Sequence, residues 1–306
     1  MAVIEYEGTD ITAQVAVSRC VWDAREDGRI PRLSLRFDDA QGLWDSWAPK
    51  PGDRVTVAAQ GAAATGAMHV RRIAPIAGGY EIEADALPVA DAAAVREWRS
   101  TTFKVVAAQL AAVLGMPVEF HGCEDMAFSY VRQDAEGALP VLARVCMYAG
   151  CTFDVYDGTV HVCARDWIGA QDSTGVLEAS ASSEYEYRQQ RVYTLCSINQ
   201  TEIPGRRAGI VASYGASGYE LATKLDDRVA VLGTSELQRA CAGVLAYANA
   251  RKVGGFVKSD GLSPYSPGSV VTISCPKAPS LDGRAVVTRV RNDFESKTSK
   301  TWWRKL

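Results

Sequence analysis

One stretch of this chain occurs twice, and it limits the possible folds more than any other feature. Pro51-Gly52-Asp53-Arg54-Val55-Thr56-Val57 leads through a loop into Gly66-Ala67-Met68-His69-Val70-Arg71-Arg72-Ile73. Near the other end, Pro267-Gly268-Ser269-Val270-Val271-Thr272-Ile273 leads into Gly283-Arg284-Ala285-Val286-Val287-Thr288-Arg289-Val290. Each copy then turns into a third run, Tyr80-Glu81-Ile82-Glu83-Ala84 and Lys300-Thr301-Trp302-Trp303-Arg304. A Pro-Gly turn, a β-branched strand, a strand opened by glycine and a closing strand describe antiparallel sheet. The expectation is a duplicated β domain, with Val55 and Val271 on equivalent strands of two superposable barrels.

With 306 residues, 47% of them hydrophobic and 23% charged, there is material for two or three folded domains. A net charge of −3 excludes a broad basic surface for nucleic acid or anionic lipid. Arg71-Arg72 and Arg206-Arg207 read as solvated strand edge or loop. The apolar run from Val105 to Val118 is broken by Gln109, Gly115 and Pro117 and is too short to cross a bilayer. The first twenty residues carry acids where a signal peptide needs Lys or Arg. The expected destination is the cytoplasm, or a route out of it that ignores the N-terminus. Cys20, Cys123, Cys146, Cys151, Cys163, Cys196, Cys241 and Cys275 form no Cys-x-x-Cys pair and sit mostly among apolar neighbours. They read as free buried thiols, without a zinc site or disulfide framework.

Residues 1–90 read as β, including the alternating run Arg32 to Phe37 and one helical turn at Leu43 to Trp47. From about residue 91 the character changes. Thr101 or Thr102 can cap a helix carrying Phe103, Val106, Ala107, Leu110, Val113 and Leu114, closed by Gly115 and Pro117. Val118-Glu119-Phe120 and Phe128 to Val131 read as strands, and Leu139 to Cys146 as a second helix ending at Gly150, with Pro140 confined to its first turn. Asp157-Gly158 between alternating runs is a hairpin signal. Residues 91–170 thus form an α+β insert, and Ala170 to Ser183 a linker. In 171–306, Glu184 to Gln200 reads as one long strand. Gly209 to Tyr214 and Tyr219 to Leu225 read as a hairpin, and Ser235-Glu236-Leu237-Gln238 opens a helix in capping-box form.

The search for chemistry returns little. His69, His121 and His161 have no partner at ligand spacing and read as packing or surface residues. Gly215-Ala216-Ser217-Gly218-Tyr219 misses the spacing of a nucleophile elbow, and no phosphate-binding glycine loop is present. The acid pairs Asp38-Asp39, Glu184 with Glu186, and Asp226-Asp227 read as solvated loop charge, without the aromatic surroundings of a sugar cleft. Trp44, Trp47, Trp98, Trp302 and Trp303 are core residues or, where exposed, subunit anchors. No catalytic residue, cofactor or metal site is expected.

Arg96-Glu97-Trp98-Arg99-Ser100-Thr101-Thr102-Phe103 with its helix, Tyr130 to Glu136, Leu142-Ala143, Gly150 and Phe153 to Val160 together resemble the late-control and baseplate-hub family of tailed phages. The match covers residues 91–166 and extends to the flanks in layout only. Gly137 stands where the family has Ser or Thr, and Pro140 where it has a bulky residue. The resemblance implies a mainly β, α+β fold: two tail-tube-like antiparallel barrel or sandwich domains (1–90 and 171–306, the second with a flanking helix) around the insert (91–170). It further implies a non-enzymatic structural adaptor, a homotrimer presenting six tube-like barrels. Such a hub joins a sixfold tail tube to a spike protein beside other baseplate proteins, with a lumen for DNA or cargo. It would belong to a virion or phage-derived injection particle assembled in the bacterial cytoplasm. Ending at Leu306 without needle or lysozyme modules, the chain is expected to leave spike and cell-wall-cutting work to other proteins. Two alternatives stand beside this reading. One is a tail-associated cell-wall hydrolase or peptidoglycan-binding protein; the other is a sixfold distal-tail or tube-initiator protein.

Overall fold

The first Pro-Gly unit folds together with everything before it. In the computed structural model, which describes residues 2–26, 28–179, 184–204 and 207–306, it comprises β1 (Ala2–Tyr6), β2 (Thr9–Asp10), β3 (Ala16–Arg25), β4 (Arg32–Asp38), the short helix α1 (Leu43–Trp47), β5 (Arg54–Ala59), β6 (Met68–Ile76) and β7 (Gly79–Asp85). Strict alternation in β4 puts Leu33, Leu35 and Phe37 in the core and Arg32, Arg36 and Asp38 outside. Trp44 from α1 closes the core end, its ring 4.5 Å from Phe37 and stacked 5.7 Å from Tyr80.

The insert contains β8 (Ala94–Thr102), α2 (Phe103–Val113), β9 (Val118–His121), β10 (Ala127–Glu136), α3 (Ala138–Tyr148), β11 (Cys151–Tyr156), β12 (Thr159–Ala164) and α4 (Arg165–Ala170). The expected apolar face of α2 is buried through Phe103, Val106, Ala107 and Leu110. The Asp157-Gly158 hairpin takes the two positive φ values its turn requires, 45° and 74°. Residues 94–102, which lead into α2, form a full strand, and Trp98 donates its indole N–H to Gln109 at 2.6 Å, fixing strand to helix.

The remainder contains β13 (Val176–Glu178), β14 (Tyr185–Gln189), β15 (Leu195–Gln200), β16 (Ile210–Gly215), β17 (Glu220–Lys224), β18 (Val229–Val231), α5 (Thr234–Asn249), β19 (Val253–Ser259), β20 (Val270–Ser274), β21 (Gly283–Asp293) and β22 (Thr298–Lys305). Three details differ from the sequence reading. The long strand over 184–200 is two strands, because β14 joins β19 whereas β15 leaves for a separate sheet. β16 and β17 do not pair with each other; they flank β15, whose Cys196 and Ile198 are fully buried and take the central position. α5 begins at Thr234 after Gly233, without the side-chain hydrogen bonds of a capping box. The expected linker contains β13; its residues 180–183, like Arg206, lie outside the described residues.

The two Pro-Gly units are laid down in the same register. Val55 pairs with Met68 and Val271 with Ala285, in each case the residue two beyond the strand-opening glycine. The Gly52 amide donates to the Val70 carbonyl at 2.8 Å, and the Gly268 amide to that of Val287 at 2.8 Å. The reverse bonds run from the Val70 amide to Asp53 and from the Val287 amide to Ser269. Both glycines have positive φ, 96° and 86°. Both second strands then bulge at the same step, between Val70 and Arg72 and between Val287 and Arg289. Strand order agrees as well: β3-β4-β7-β6-β5-β1 in one unit and β14-β19-β22-β21-β20-β13 in the other. The copies differ at the last pairing, which is antiparallel for β1 with β5 and parallel for β13 with β20. They also differ in the long excursion that carries β15–β18 and α5.

That excursion ties the insert to the second unit. β18 pairs with β10, and α5 packs on α3 at Gly243, where any Cβ would strike the carbonyls of Met147 and Tyr148. Around them lies an ion network. Arg144, with a side chain 8% exposed, reaches Glu136 at 2.6 Å and Asp226 at 3.1 Å, while Arg228 reaches Asp226 at 2.8 Å and Glu136 at 3.1 Å. Burial alone would raise the Asp226 carboxyl, but hydrogen bonds from Arg228 and the charge of Arg144 hold it below the usual carboxylate range. Arg144→Ala removes the buried cation and leaves Glu136 and Asp226 to Arg228 alone, and is expected to cost about 1–3 kcal/mol. Because Asp226 is depressed in the folded state, its contribution is present above the ordinary carboxylate value and lost as pH falls through the folded one. The variant should therefore melt earlier at neutral pH and unfold at a higher pH on acidification. A loss within about 0.5 kcal/mol of zero would show that the network does not staple the insert.

Candidate functional site: open sheet edges

The two units share one 13-stranded sheet because β21 of the second pairs with β3 of the first. The ladder runs Arg289 to Arg25, Val290 to Ala24, Arg291 to Asp23, Asn292 to Trp22 and Asp293 to Val21. Arg289 donates to both carboxylate oxygens of Asp23, and Arg304 meets Glu26 at 3.0 Å with both side chains under 10% exposed. The Glu26 amide donates to the carbonyl of Thr288 at the bulge, and the Phe294 amide to Cys20. This is a fully formed junction between two like units.

Each unit carries the half of that junction that the other uses. The counterpart of Arg289–Asp293 is the stretch Arg72–Ile76 in β6, which among the described residues pairs with β7 alone; the strand leading into and including β5 covers β6 from Met68 to Val70. The counterpart of β3 is β14, which stands at the free end of the strand order. Following the pairings across the sheets, Trp22 corresponds to Tyr187, since Trp22 faces Leu33 and Tyr187 faces the matching Gly255. Trp22 is 1% exposed and Tyr187 is 48% exposed. The position that holds a buried core aromatic beside the junction in one unit holds an exposed aromatic in the other. Unpaired edges of this kind are templates for another strand.

The face of the shared sheet turned away from the core carries a row of charged side chains across its width. Lys258, Lys300, Arg291, Asp23, Arg32 and Asp85 lie in one row across β19, β22, β21, β3, β4 and β7. A row on the opposite face, Trp22, Leu33, Ala84 and Val70, is at most 3% exposed. Val290 and Ala24, paired across the junction, are both buried, so the two units turn their cores to the same side. The other face carries the charged row together with Phe256 and Trp302, over which Lys300 and Arg289 lie.

The residues singled out as possible chemistry fall as follows. Ser217 lies in the turn between β16 and β17. Asp227 holds Arg207 at 2.8 Å and Lys224 at 2.9 Å, Glu184 lies 3.5 Å from Lys258, and Arg72 bridges Glu81 and Glu83. Trp44, Trp98 and Trp303 are buried, while Trp47 is 39% exposed. All eight cysteines are free, with Cys123 and Cys151 in sulfur contact at 3.6 Å. His69 lies in the sheet opposite Asp85.

His121 and His161 are brought together, which their spacing in the chain does not suggest. β9 and β12 pair in parallel, so His161 faces Glu119 and Cys163 faces His121. The His121 and His161 nitrogens are 3.4 Å apart, and one Glu119 oxygen lies 3.7 Å from the first and 3.5 Å from the second. Parallel pairing joins strands through a long crossover, so no local pattern reports it.

No protein-family model matches the sequence, and no curated protein matches it. Solved structures do. The chain is similar along its whole length to a tail protein from Neisseria meningitidis MC58 (TM-score 0.71, 13% identity, 100% of this chain and 96% of that one). It is equally similar to a 43 kDa tail protein of prophage MuSo2 from Shewanella oneidensis (0.70, 13% identity, 99% and 98%). A more distant likeness is to an Escherichia coli type VI secretion component described as resembling bacteriophage T4 tail proteins (0.59, 12% identity, 99% and 76%). The chain has the mainly β, α+β fold of these phage tail proteins, which the resemblance read from residues 91–166 implied.

Proposed function

We propose that this chain is a structural hub of a phage tail or phage-derived particle, with three copies closing into a ring of six β units. The observation that carries the proposal is the pair of complementary free edges. The junction between β21 and β3 inside the chain can be repeated between chains by Arg72–Ile76 of one protomer and β14 of the next. A head-to-tail contact of this kind produces a ring when its rotation closes. Two like units per chain give six equivalent surfaces from three copies, suiting a sixfold tube on one side, while true threefold symmetry suits a spike on the other. The sheet face with the charged row then lines a water-filled lumen through which DNA or other cargo passes. Three further statements belong to this proposal: the domain division at about residues 90 and 170, residence in the tail baseplate after cytoplasmic assembly, and the absence of catalysis. The fold shared with tail proteins supports it. Mass measurement of the purified chain should give three copies. A strict monomer at every concentration, or six copies, would overturn it, the latter in favour of a tube initiator.

The convergence of Glu119, His121 and His161 favours a second reading, a tail-associated cell-wall hydrolase. Clearing of purified peptidoglycan by the chain, abolished by His161→Ala, would establish it; no clearing leaves the structural reading alone.

A further inference from the structure

We propose that Glu119, His121 and His161 form a binding site for one divalent transition-metal ion of the zinc class. The three donor atoms stand 3.4, 3.5 and 3.7 Å apart. A point equidistant from all three lies about 2 Å from each, the length of a zinc bond to imidazole nitrogen or carboxylate oxygen. Two neutral imidazoles with one carboxylate select zinc, nickel, cobalt or copper over the hard cations magnesium and calcium, which prefer all-oxygen shells.

The site is built rather than incidental. Adjacent parallel strands hold the ligands in fixed register, so that binding an ion orders no loop. Trp167 of α4 lies over His121 with ring centroids 5.1 Å apart. It can do so because residue 122 is glycine, at φ 65°; a Cβ there would sit 2.5 Å from the Trp167 Cβ. His121 and His161, with Thr152, Phe153, Asp154 and Cys163, line a cavity of about 200 Å³. The side chains of His121 and His161 are 30% and 26% exposed and that of Glu119 is 59% exposed. An ion can therefore enter from solvent and keep a water as its fourth ligand.

The test uses the full chain, stripped with a chelator under reducing conditions and titrated with zinc against a chromophoric competitor, then with cobalt for its visible spectrum. The expected results are one ion per chain and a cobalt spectrum of nitrogen and oxygen ligation. His121→Ala and His161→Ala should each weaken binding about tenfold or more, in line with the loss of one ligand. Thermal melts of the metal-free variants check that they remain folded. Glu119→Gln, at an exposed position, keeps the test decisive if either histidine variant does not fold. Absence of stoichiometric binding would overturn the assignment. So would thiolate-to-cobalt charge-transfer bands, which would place the ion on a cysteine, or variants that bind as well as the parent. None of these outcomes bears on the number of chains in the ring.

Discussion

A chain carrying Ala74→Cys and Arg188→Cys is expected to convert under mild oxidation into disulfide-linked dimers and then trimers, with either single substitution remaining uncrosslinked. The pair is chosen by register. Ala74 and Arg188 correspond to Arg291 and Asp23, which face each other in the junction inside the chain. Directly opposed residues on antiparallel strands have Cα atoms about 4.5–5.5 Å apart, within the span of a disulfide. Within one protomer the two positions are separated by the strands from β19 to β7, roughly 30 Å of sheet, so the bond can form only between chains. Pro75, which has no N–H, takes one donor from this edge, and the intermolecular ladder should be weaker than the intramolecular one. The readout is a non-reducing gel with a ladder that stops at three. A double variant that stays monomeric on the gel while the parent has trimeric mass would place the contact elsewhere on the surface.

Gly255→Val is expected to abolish the ring while leaving most of the chain folded. Gly255 lies in β19 opposite Tyr187 of β14, and a Cβ there would collide with the Glu186 carbonyl and crowd the Tyr187 Cα at 2.9 Å. Backbone cannot yield as a side chain does, so β14 must separate from β19. Overpacking of this kind costs about 1–3 kcal/mol or more. Among the described residues β14 has one neighbouring strand, and its side chains from Glu186 to Gln189 are exposed, so its detachment leaves the core in place. The expected mass falls from three copies to one, with far-ultraviolet circular dichroism nearly unchanged. A trimer that survives the substitution would remove β14 from the assembly contact.

What could be read from the residues follows from the range of the interactions involved. The Pro-Gly turns, the strand alternation and the Asp157-Gly158 hairpin act over a few residues, and they predicted the repeated unit, with Val55 and Val271 on corresponding strands; the structure adds that each pairs with the second residue after a glycine. The apolar period of α2 was legible for the same reason. The hairpin expected between β16 and β17 was not formed, because a third strand with the more apolar inner face took the place between them. The convergence of Glu119 with His121 and His161 depends on a parallel pairing, in which a crossover separates the partners and the register is set by packing alone.

The repeated strand unit is encoded locally, since turn chemistry and a period of two are enough to specify it. How the two copies meet was decided only in the tertiary structure. Arg289 and Asp23 lie 266 residues apart, and nothing in the spelling of either strand names the other as its partner. Any exposed edge can accept a strand; which strand fills it depends on where the remaining chain has placed the candidates. The same fact gives β6 and β14 their edges, because the fold satisfies one of two like junctions and, among the described residues, leaves the other unpaired.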